Sequence, residues 1–368
     1  MDGKKKVCVI SAYAYIVKHI NYGSLLQYYA LEKKLEEMGY SSYWLRFVLP
    51  EEKREQSIKG KIKAIILKKR QKSIDTILKS FQEFILQYLH ISEKLYTEEK
   101  LKSDCPQADI YLTGSDQVWG GVLEPNYLTF APMEKQKISY AASFGKSAIT
   151  DEHLYKIKPW LKKLNAISVR EPSGVEICKK AKVKAELVID PTLLILGEDY
   201  PIQLNKAAAY ENYYFGYFLN VMKQNADEYI SFLSEAEKKL GKIICVAGVS
   251  QLDRYLAKGQ YDYFTPEEWL GMYKESQGII TNTFHGTVFA IIFKKNFLVY
   301  LQGGSTAKQN ERIYSLLKTY KLEDRLIHNL DSIEKQMKKK IDWDHVDSII
   351  RIKREKALEY LKKSLEGK

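Results

Sequence analysis

The sequence predicts an α/β fold with two doubly wound halves facing one another across a cleft. Three observations lead there. Up to about residue 190, short apolar runs alternate with segments of helical period. The same alternation resumes at Tyr213. Between them, Leu196 to Tyr210 has mixed composition, glycine and proline breaks and no clean period, as a crossing between two units would. A length of 368 residues suits two units at roughly 150 residues each. The expected division is 1–195, 206–340 and a basic terminal helix over 341–368.

In chain order, Val7 to Ile10 reads as a first strand and Ser11 to Gly23 as a loop rich in polar and aromatic residues. Ser24 to Met38 is an amphipathic helix capped by Gly39, and Tyr43 to Val48 returns as a strand. No GxGxxG follows the first strand, so a dinucleotide site is not indicated. Ile74 to Leu89 is helical. Strands follow at Ile110 to Thr113, Lys137 to Phe144, Ala166 to Val169 and Glu186 to Ile189, with a helix over Asp151 to Leu164 and another opened by Pro172. In the second unit the strands are Tyr213 to Leu219, Lys242 to Val246, Gly278 to Thr281 and Phe297 to Leu301. Its helices lie at Asn225 to Leu240, Thr265 to Glu275, Thr287 to Phe293 and Asn310 to Tyr320, before a long helix from Asp342 to Leu365.

Composition narrows the function classes. No apolar run is long enough to span a bilayer, and Val7 to Ile10 is too short for a signal-peptide core, which points to a cytoplasmic protein. The four cysteines have no zinc-ligand spacing and read as free thiols. Asp342-Trp343-Asp344-His345 imitates a metal motif but sits where a helix N-cap and acidic first turn belong. No bound metal is expected. A net charge of +12 favours an anionic partner, yet no known nucleic-acid module is present. The basic residues concentrate in Lys53 to Lys72, where Ile58, Ile62, Ile65 and Ile66 share a helical face. That pattern fits either an anionic membrane surface, with the protein peripheral at the inner face, or a solvated face over a core stripe.

Polar residues recur just after the expected strands: Asn21 and Gly23, Ser115 and Asp116, Arg170, Asp190, and Thr283 with His285. Ligands of open α/β sheets bind beyond the carboxyl ends of strands, and a helix N-terminus there attracts anions. Arg170 ends an apolar strand, so it either pairs with Glu171 or another carboxylate or reaches an anionic ligand with its planar fork. Asp116 is a base, a hydroxyl acceptor or an Asx turn. Trp119 is a sugar-stacking surface or an apolar wall.

Five motifs in order, GSDQVW (114–119), ISYAASFG (138–145), SVRE (168–171), VIDPT (188–192) and TNTFHGTVFAIIF (281–293), follow Asn21-Tyr22-Gly23-Ser24-Leu25-Leu26-Gln27. Together they resemble the polysaccharide pyruvyl transferase family over about Val7 to Leu330. The resemblance implies two Rossmann-like domains in the GT-B arrangement. It also implies transfer of the pyruvyl group of phosphoenolpyruvate onto two hydroxyls of a sugar, giving a cyclic ketal and phosphate, with no cofactor and no metal. The sugar acceptor would belong to a polysaccharide or lipid-linked glycan precursor. By the same resemblance Arg170 clamps the donor, His285 is the general acid beside its phosphate, and Asp116 is a base or acceptor ligand. Thr283, Gly286 and either Lys308 or Arg312 complete the donor side. Asn21, Gly23, Ser115, Asp116 and Trp119 form the acceptor side, and the first-loop tyrosines Tyr13, Tyr15 and Tyr22 select the sugar. Two other readings stay open: a GT-B glycosyltransferase using a nucleotide sugar, and a non-catalytic carbohydrate-binding homologue.

Overall fold

The computed structural model describes residues 3–11, 20–48 and 63–367, with side chains for all of these except 63–69 and 305. Tyr13, Tyr15 and residues 53–62 of the basic stretch Lys53 to Lys72 therefore lie outside the described residues, as do the side chains of 63–69.

The first half contains β1 (Lys6–Ile10), α1 (Tyr22–Glu37), β2 (Ser41–Trp44), α2 (Lys63–Tyr88), α3 (Glu98–Ser103), β3 (Ile110–Thr113), β4 (Gln136–Ser139), α4 (Asp151–Leu161), β5 (Ser168–Val169), α5 (Pro172–Lys180) and β6 (Glu186–Leu187). Four strands pair in the order β2-β1-β3-β4, all parallel. Parallel bridges from Ile138 to Ala166 and from Ala142 to Val169 carry the sheet on to the β5-β6 pair. The second half contains β7 (Tyr214–Tyr217), α6 (Ala226–Leu240), β8 (Ile243–Val246), β9 (Tyr261–Asp262), α7 (Pro266–Glu275), β10 (Gly278–Thr281), α8 (Phe284–Ile292), β11 (Phe297–Val299), α9 (Glu311–Tyr320), α10 (Ile333–Lys338) and α11 (Trp343–Glu366). Its sheet is again parallel, ordered β11-β10-β7-β8-β9.

Each sheet reverses its strand order once, between β1 and β3 in the first half and between β7 and β10 in the second. A crevice opens at such a reversal, because the flanking connections leave to opposite faces. Both strands at each reversal are fully buried except at Lys6 and Tyr214, so these are rigid central platforms.

The two halves share one apolar core. Tyr22 of α1 stacks on Trp269 of α7 at 5.0 Å and meets Phe81 of α2 edge-on at 5.0 Å. Arg70 of α2 reaches across to Asp253 at 2.7 Å and to the Ser250 carbonyl. Arg70, one of the two basic side chains described in that stretch, is thus committed to holding the halves together rather than presented to a surface. The terminal helix returns to the first half. Tyr360 donates to the Ser139 carbonyl at the end of β4, and Arg354 donates to the Leu193 carbonyl. Asp342 caps this helix by accepting from the His345 amide, in keeping with its reading as a cap. No described helix is long and apolar enough to cross a membrane.

Candidate active site

Every side chain of the candidate site leaves the carboxyl end of a parallel strand or the first turn of the helix that follows. Asp116 and Gln117 follow β3, Arg170 follows β5, Asp190 follows β6, Asn220 follows β7, and Gln302 follows β11. The helix after β10 begins earlier than its apolar run implies, because Thr283 caps it. The Thr283 hydroxyl accepts from the Gly286 amide at 2.8 Å, which brings Phe284 and His285 into the first turn.

Two helix N-termini meet here. Asn21 caps α1 by accepting from the Ser24 amide, and the ring of His285 lies directly on the α1 backbone at Gly23. A Cβ at Gly23 would come within 2.3 Å of the imidazole, so only glycine permits this approach. Gly286 has a comparable reason, since a Cβ there would lie 2.2 Å from the Thr281 hydroxyl. Gly23→Ala should therefore displace His285 or the start of α1, at a cost of about 1–3 kcal/mol in thermal unfolding. The His285 imidazole NMR signals should shift more than those of His345, which caps no part of this site.

Arg170 is enclosed by carboxylates. Its Nε donates to Glu171 at 2.9 Å, Nη1 donates to Asp190, and Nη2 lies 3.3 Å from Asp116. Its guanidinium also stacks over the Phe284 ring, 4.1 Å from the centroid. Asp190 is fixed from the other side by the amide and hydroxyl of Thr192. Burial alone would raise the Asp190 carboxyl, but Arg170, His285 and these hydrogen bonds outweigh it and hold the group well below the usual carboxylate range. Asp116 adopts a left-handed backbone, φ 66°, which aspartate tolerates better than most residues. One carboxyl oxygen accepts from the Ser24 hydroxyl at 2.6 Å, and the other lies 3.7 Å from Arg312. Burial raises this carboxyl too, and Arg170, His285 and Arg312 overcome the effect, so Asp116 stays ionised.

A cavity of about 210 Å³ opens between the two strand ends, lined by Asn21, Asp116, Gln117, Tyr217, Asn220, Thr283, Phe284, His285, Gln302, Gln309 and Arg312, among others. Three of its lining residues carry a buried polar atom with no hydrogen-bond partner: Nε2 of His285, Nε of Arg312 and the hydroxyl of Tyr217. His285 Nε2 lies 3.5 Å from Asp190, at ion-pair distance but not aligned for a hydrogen bond. The Tyr217 hydroxyl sits beside the amides of Tyr22 and Gly23 and is likewise misaligned. Arg312 is 12% exposed, and burial beside Arg170 lowers its proton affinity, with only partial relief from the nearby acids. The Gln117 amide oxygen accepts from it at 3.0 and 3.2 Å in the orientation that satisfies both groups. Buried polar atoms are nearly always paired, and three orphans around one cavity mark the place where a ligand's polar atoms would complete the network.

The expected residues separate accordingly. Asp116, Thr283, His285, Arg312 and Asn21 line the cavity, and Gly23 backs His285. Of the two basic residues after β11, Arg312 faces the cavity whereas Lys308 is exposed and does not line it. Three acceptor-side expectations are corrected. Tyr22 is fully buried, stacked on Trp269, and its hydroxyl donates to the Phe264 carbonyl, so it is a core residue rather than a sugar selector. Trp119 is fully buried, stacked on Tyr127 at 5.5 Å and donating to the Asn126 carbonyl, so it is a core residue. Ser115 is fully buried and donates to the Ala141 carbonyl, which makes it part of the strand-end scaffold. Gly286 offers no free amide, because Thr283 has taken it. Sequence reasoning missed Gln117, Tyr217, Asn220, Gln302 and Gln309. Their common signal was position: each follows or ends a strand, or opens the next helix.

Among the described residues one trio, Glu32, Glu36 and His90, clusters closely enough to hold a cation. It lies about 13 Å along α1 from Gly23, and Glu32 there is already occupied by the His90 amide and ring nitrogen.

Comparison with known proteins agrees with this architecture. The chain matches the family model for polysaccharide pyruvyl transferase over residues 21–302. No curated protein matches. Similar solved structures include a putative UDP-N-acetylglucosamine 2-epimerase from Listeria monocytogenes, with TM-score 0.53, 12% identity, and coverage of 100% of this chain and 98% of that one. The S. aureus MnaA–UDP structure has TM-score 0.52 and 11% identity, covering 99% and 98%. Arabidopsis thaliana UGT89C1 with quercetin has TM-score 0.52 and 13% identity, covering 97% and 94%. These neighbours are epimerases and glycosyltransferases of the GT-B fold, and at such identities the likeness extends to the fold alone. With 21–302 matched to one family model, more than half of its length, the chain belongs to the polysaccharide pyruvyl transferase family.

Proposed function

We propose that this protein transfers the pyruvyl group of phosphoenolpyruvate onto two hydroxyls of a sugar, and that the donor occupies the cavity between Asp116 and His285. The observation that carries the reading is the convergence of two helix N-termini, the unpartnered Nε of Arg312 and the unpartnered Nε2 of His285 on one small cavity. Amide groups of a helix first turn and a guanidinium fork suit phosphate and carboxylate oxygens.

Protonation of the donor C3 by His285 makes C2 electrophilic. One sugar hydroxyl attacks C2. The second then closes the ring as the C2–O bond to phosphate breaks. One hydroxyl proton balances the proton delivered to C3 and the other leaves on the phosphate, so a methyl ketal carboxylate and inorganic phosphate result. Asp116, held ionised, is a weak base but a strong hydrogen-bond acceptor, and it orients the attacking hydroxyl. Arg170, saturated by three carboxylates, positions Asp116 and Asp190 rather than gripping the donor.

The test compares Arg312→Ala with Lys308→Ala. Arg312→Ala should raise the phosphoenolpyruvate dissociation constant at least about tenfold, the loss expected for a charge-assisted contact, and Lys308→Ala should leave it unchanged. Isothermal titration with phosphoenolpyruvate measures both. A parent protein that binds a uridine or guanosine nucleotide and not phosphoenolpyruvate would instead be a glycosyltransferase.

A further inference from the structure

A second cavity, of about 330 Å³, lies between α9 and the terminal helix and shares Phe284 and Arg312 with the donor cavity. We infer that it takes the acceptor, that this acceptor is a sugar carrying a phosphate group, and that Lys353 and Lys356 hold that phosphate; the inference rests on the pyruvyl-transfer reading of the adjoining cavity.

The volume is in the range of small-ligand sites. Leu193, Leu316 and Ile349 offer apolar surface to a sugar face, and Ser315 and Thr319 offer hydroxyls. Lys353 and Lys356 stand one helical turn apart on α11 and both line the cavity, Lys353 half-buried and Lys356 at the exposed rim. Among the described residues neither forms an ion pair. Three of the four other basic residues of the same helix find partners, all but the exposed Lys362: Arg351 has Glu355 at 3.4 Å, Lys363 has Glu359 at 2.6 Å, and Arg354 has a backbone carbonyl. The acids that line this cavity, Glu171 and Asp190, are already bound to Arg170. Two neighbouring ammonium groups left uncompensated repel one another, and burial together with Lys356 lowers the proton affinity of Lys353. A single anion between them removes both penalties. A phosphate, with more charge and more acceptor oxygens than a carboxylate, suits two compact point charges. Because the two cavities meet at Phe284 and Arg312, a sugar anchored this way has its hydroxyls beside the donor.

The experiment measures binding of a panel of hexose and N-acetylhexosamine 1-phosphates, with the corresponding free sugars and uronic acids, to the parent, to Lys353→Ala/Lys356→Ala and to a charge-matched control, Arg351→Ala/Lys362→Ala. Phosphoenolpyruvate binding is measured in parallel. At least one sugar phosphate should bind the parent more tightly than its free sugar, weaken about tenfold or more in the Lys353→Ala/Lys356→Ala variant, and bind the control as the parent does, with phosphoenolpyruvate affinity changed by less than about twofold. Equal sugar-phosphate affinity in all three proteins, or no binding by any panel member, overturns the inference. A lysine-dependent preference for uronic acids overturns the phosphate assignment. Failure of phosphoenolpyruvate to bind the parent refutes the donor reading instead, while lysine-dependent sugar-phosphate binding would stand on its own.

Discussion

His285→Gln lowers phosphoenolpyruvate-dependent phosphate release by about 10²–10⁴-fold, the usual contribution of a positioned general acid, with little change in melting temperature. Glutamine preserves a polar side chain beside Asp190 but supplies no titratable proton. The charge balance of the site sharpens the expectation. Two guanidinium groups, Arg170 and Arg312, face three carboxylates, Asp116, Asp190 and Glu171, so the ionised cluster carries one net negative charge. An anionic donor adds to that charge, and His285, at 3.5 Å from Asp190, is the one histidine lining the donor cavity among the described residues. Unchanged phosphate release in His285→Gln would move the acid role to another residue.

The fold was legible because its signals are local and redundant. Ile110 to Thr113 and Gly278 to Thr281 are fully buried parallel strands, and their unbroken apolar runs end where a polar turn begins. Errors arose where tertiary contacts outweigh pattern. The strand expected over Lys137 to Phe144 ends at Ser139, since beyond it Ala141 turns to a left-handed backbone, φ 49°, to pass beneath the site. Tyr261–Asp262 is an edge strand too short to show a period. Asp116, Arg170, Thr283 and His285 could be singled out as candidates because polar residues at strand ends have few structural reasons to recur in order. Whether Arg170 meets a ligand or a protein carboxylate could not be read, because Asp116 and Asp190 reach it from 54 and 20 residues away. Trp119 was misplaced for the same kind of reason. Its neighbours Tyr127 and Phe144 come from separate segments, and only their packing shows that its face is already covered.

Arg170→Met destabilises the protein by about 3–5 kcal/mol at pH 7, the loss typical when one partner of a buried ion cluster is removed. Methionine fills much of the volume, so the loss is chiefly electrostatic. It strands Asp190, 1% exposed at its side chain, and Glu171, 4% exposed, without their cation. The pH dependence separates this account from a packing defect. In the parent, Asp190 and Asp116 lie below their unfolded values. Their stabilising contribution is therefore fully present above about pH 4 and is lost only as pH falls through the lower folded values. In the variant the largest opposing charge is gone, and burial raises both carboxyls from their parent positions. A carboxyl less depressed on folding contributes less stability while ionised, and the difference disappears once it is protonated. The stability gap between parent and variant should then be widest at neutral pH and narrow as pH falls below about 4, as followed by urea denaturation down the acid range. Replacing Asp190 by asparagine in the Arg170→Met background should recover part of the loss at pH 7, since it removes a stranded charge and keeps the contact to Thr192. A gap independent of pH, or a double variant less stable than Arg170→Met alone, would assign the effect to packing and return Arg170 to candidacy as a donor ligand.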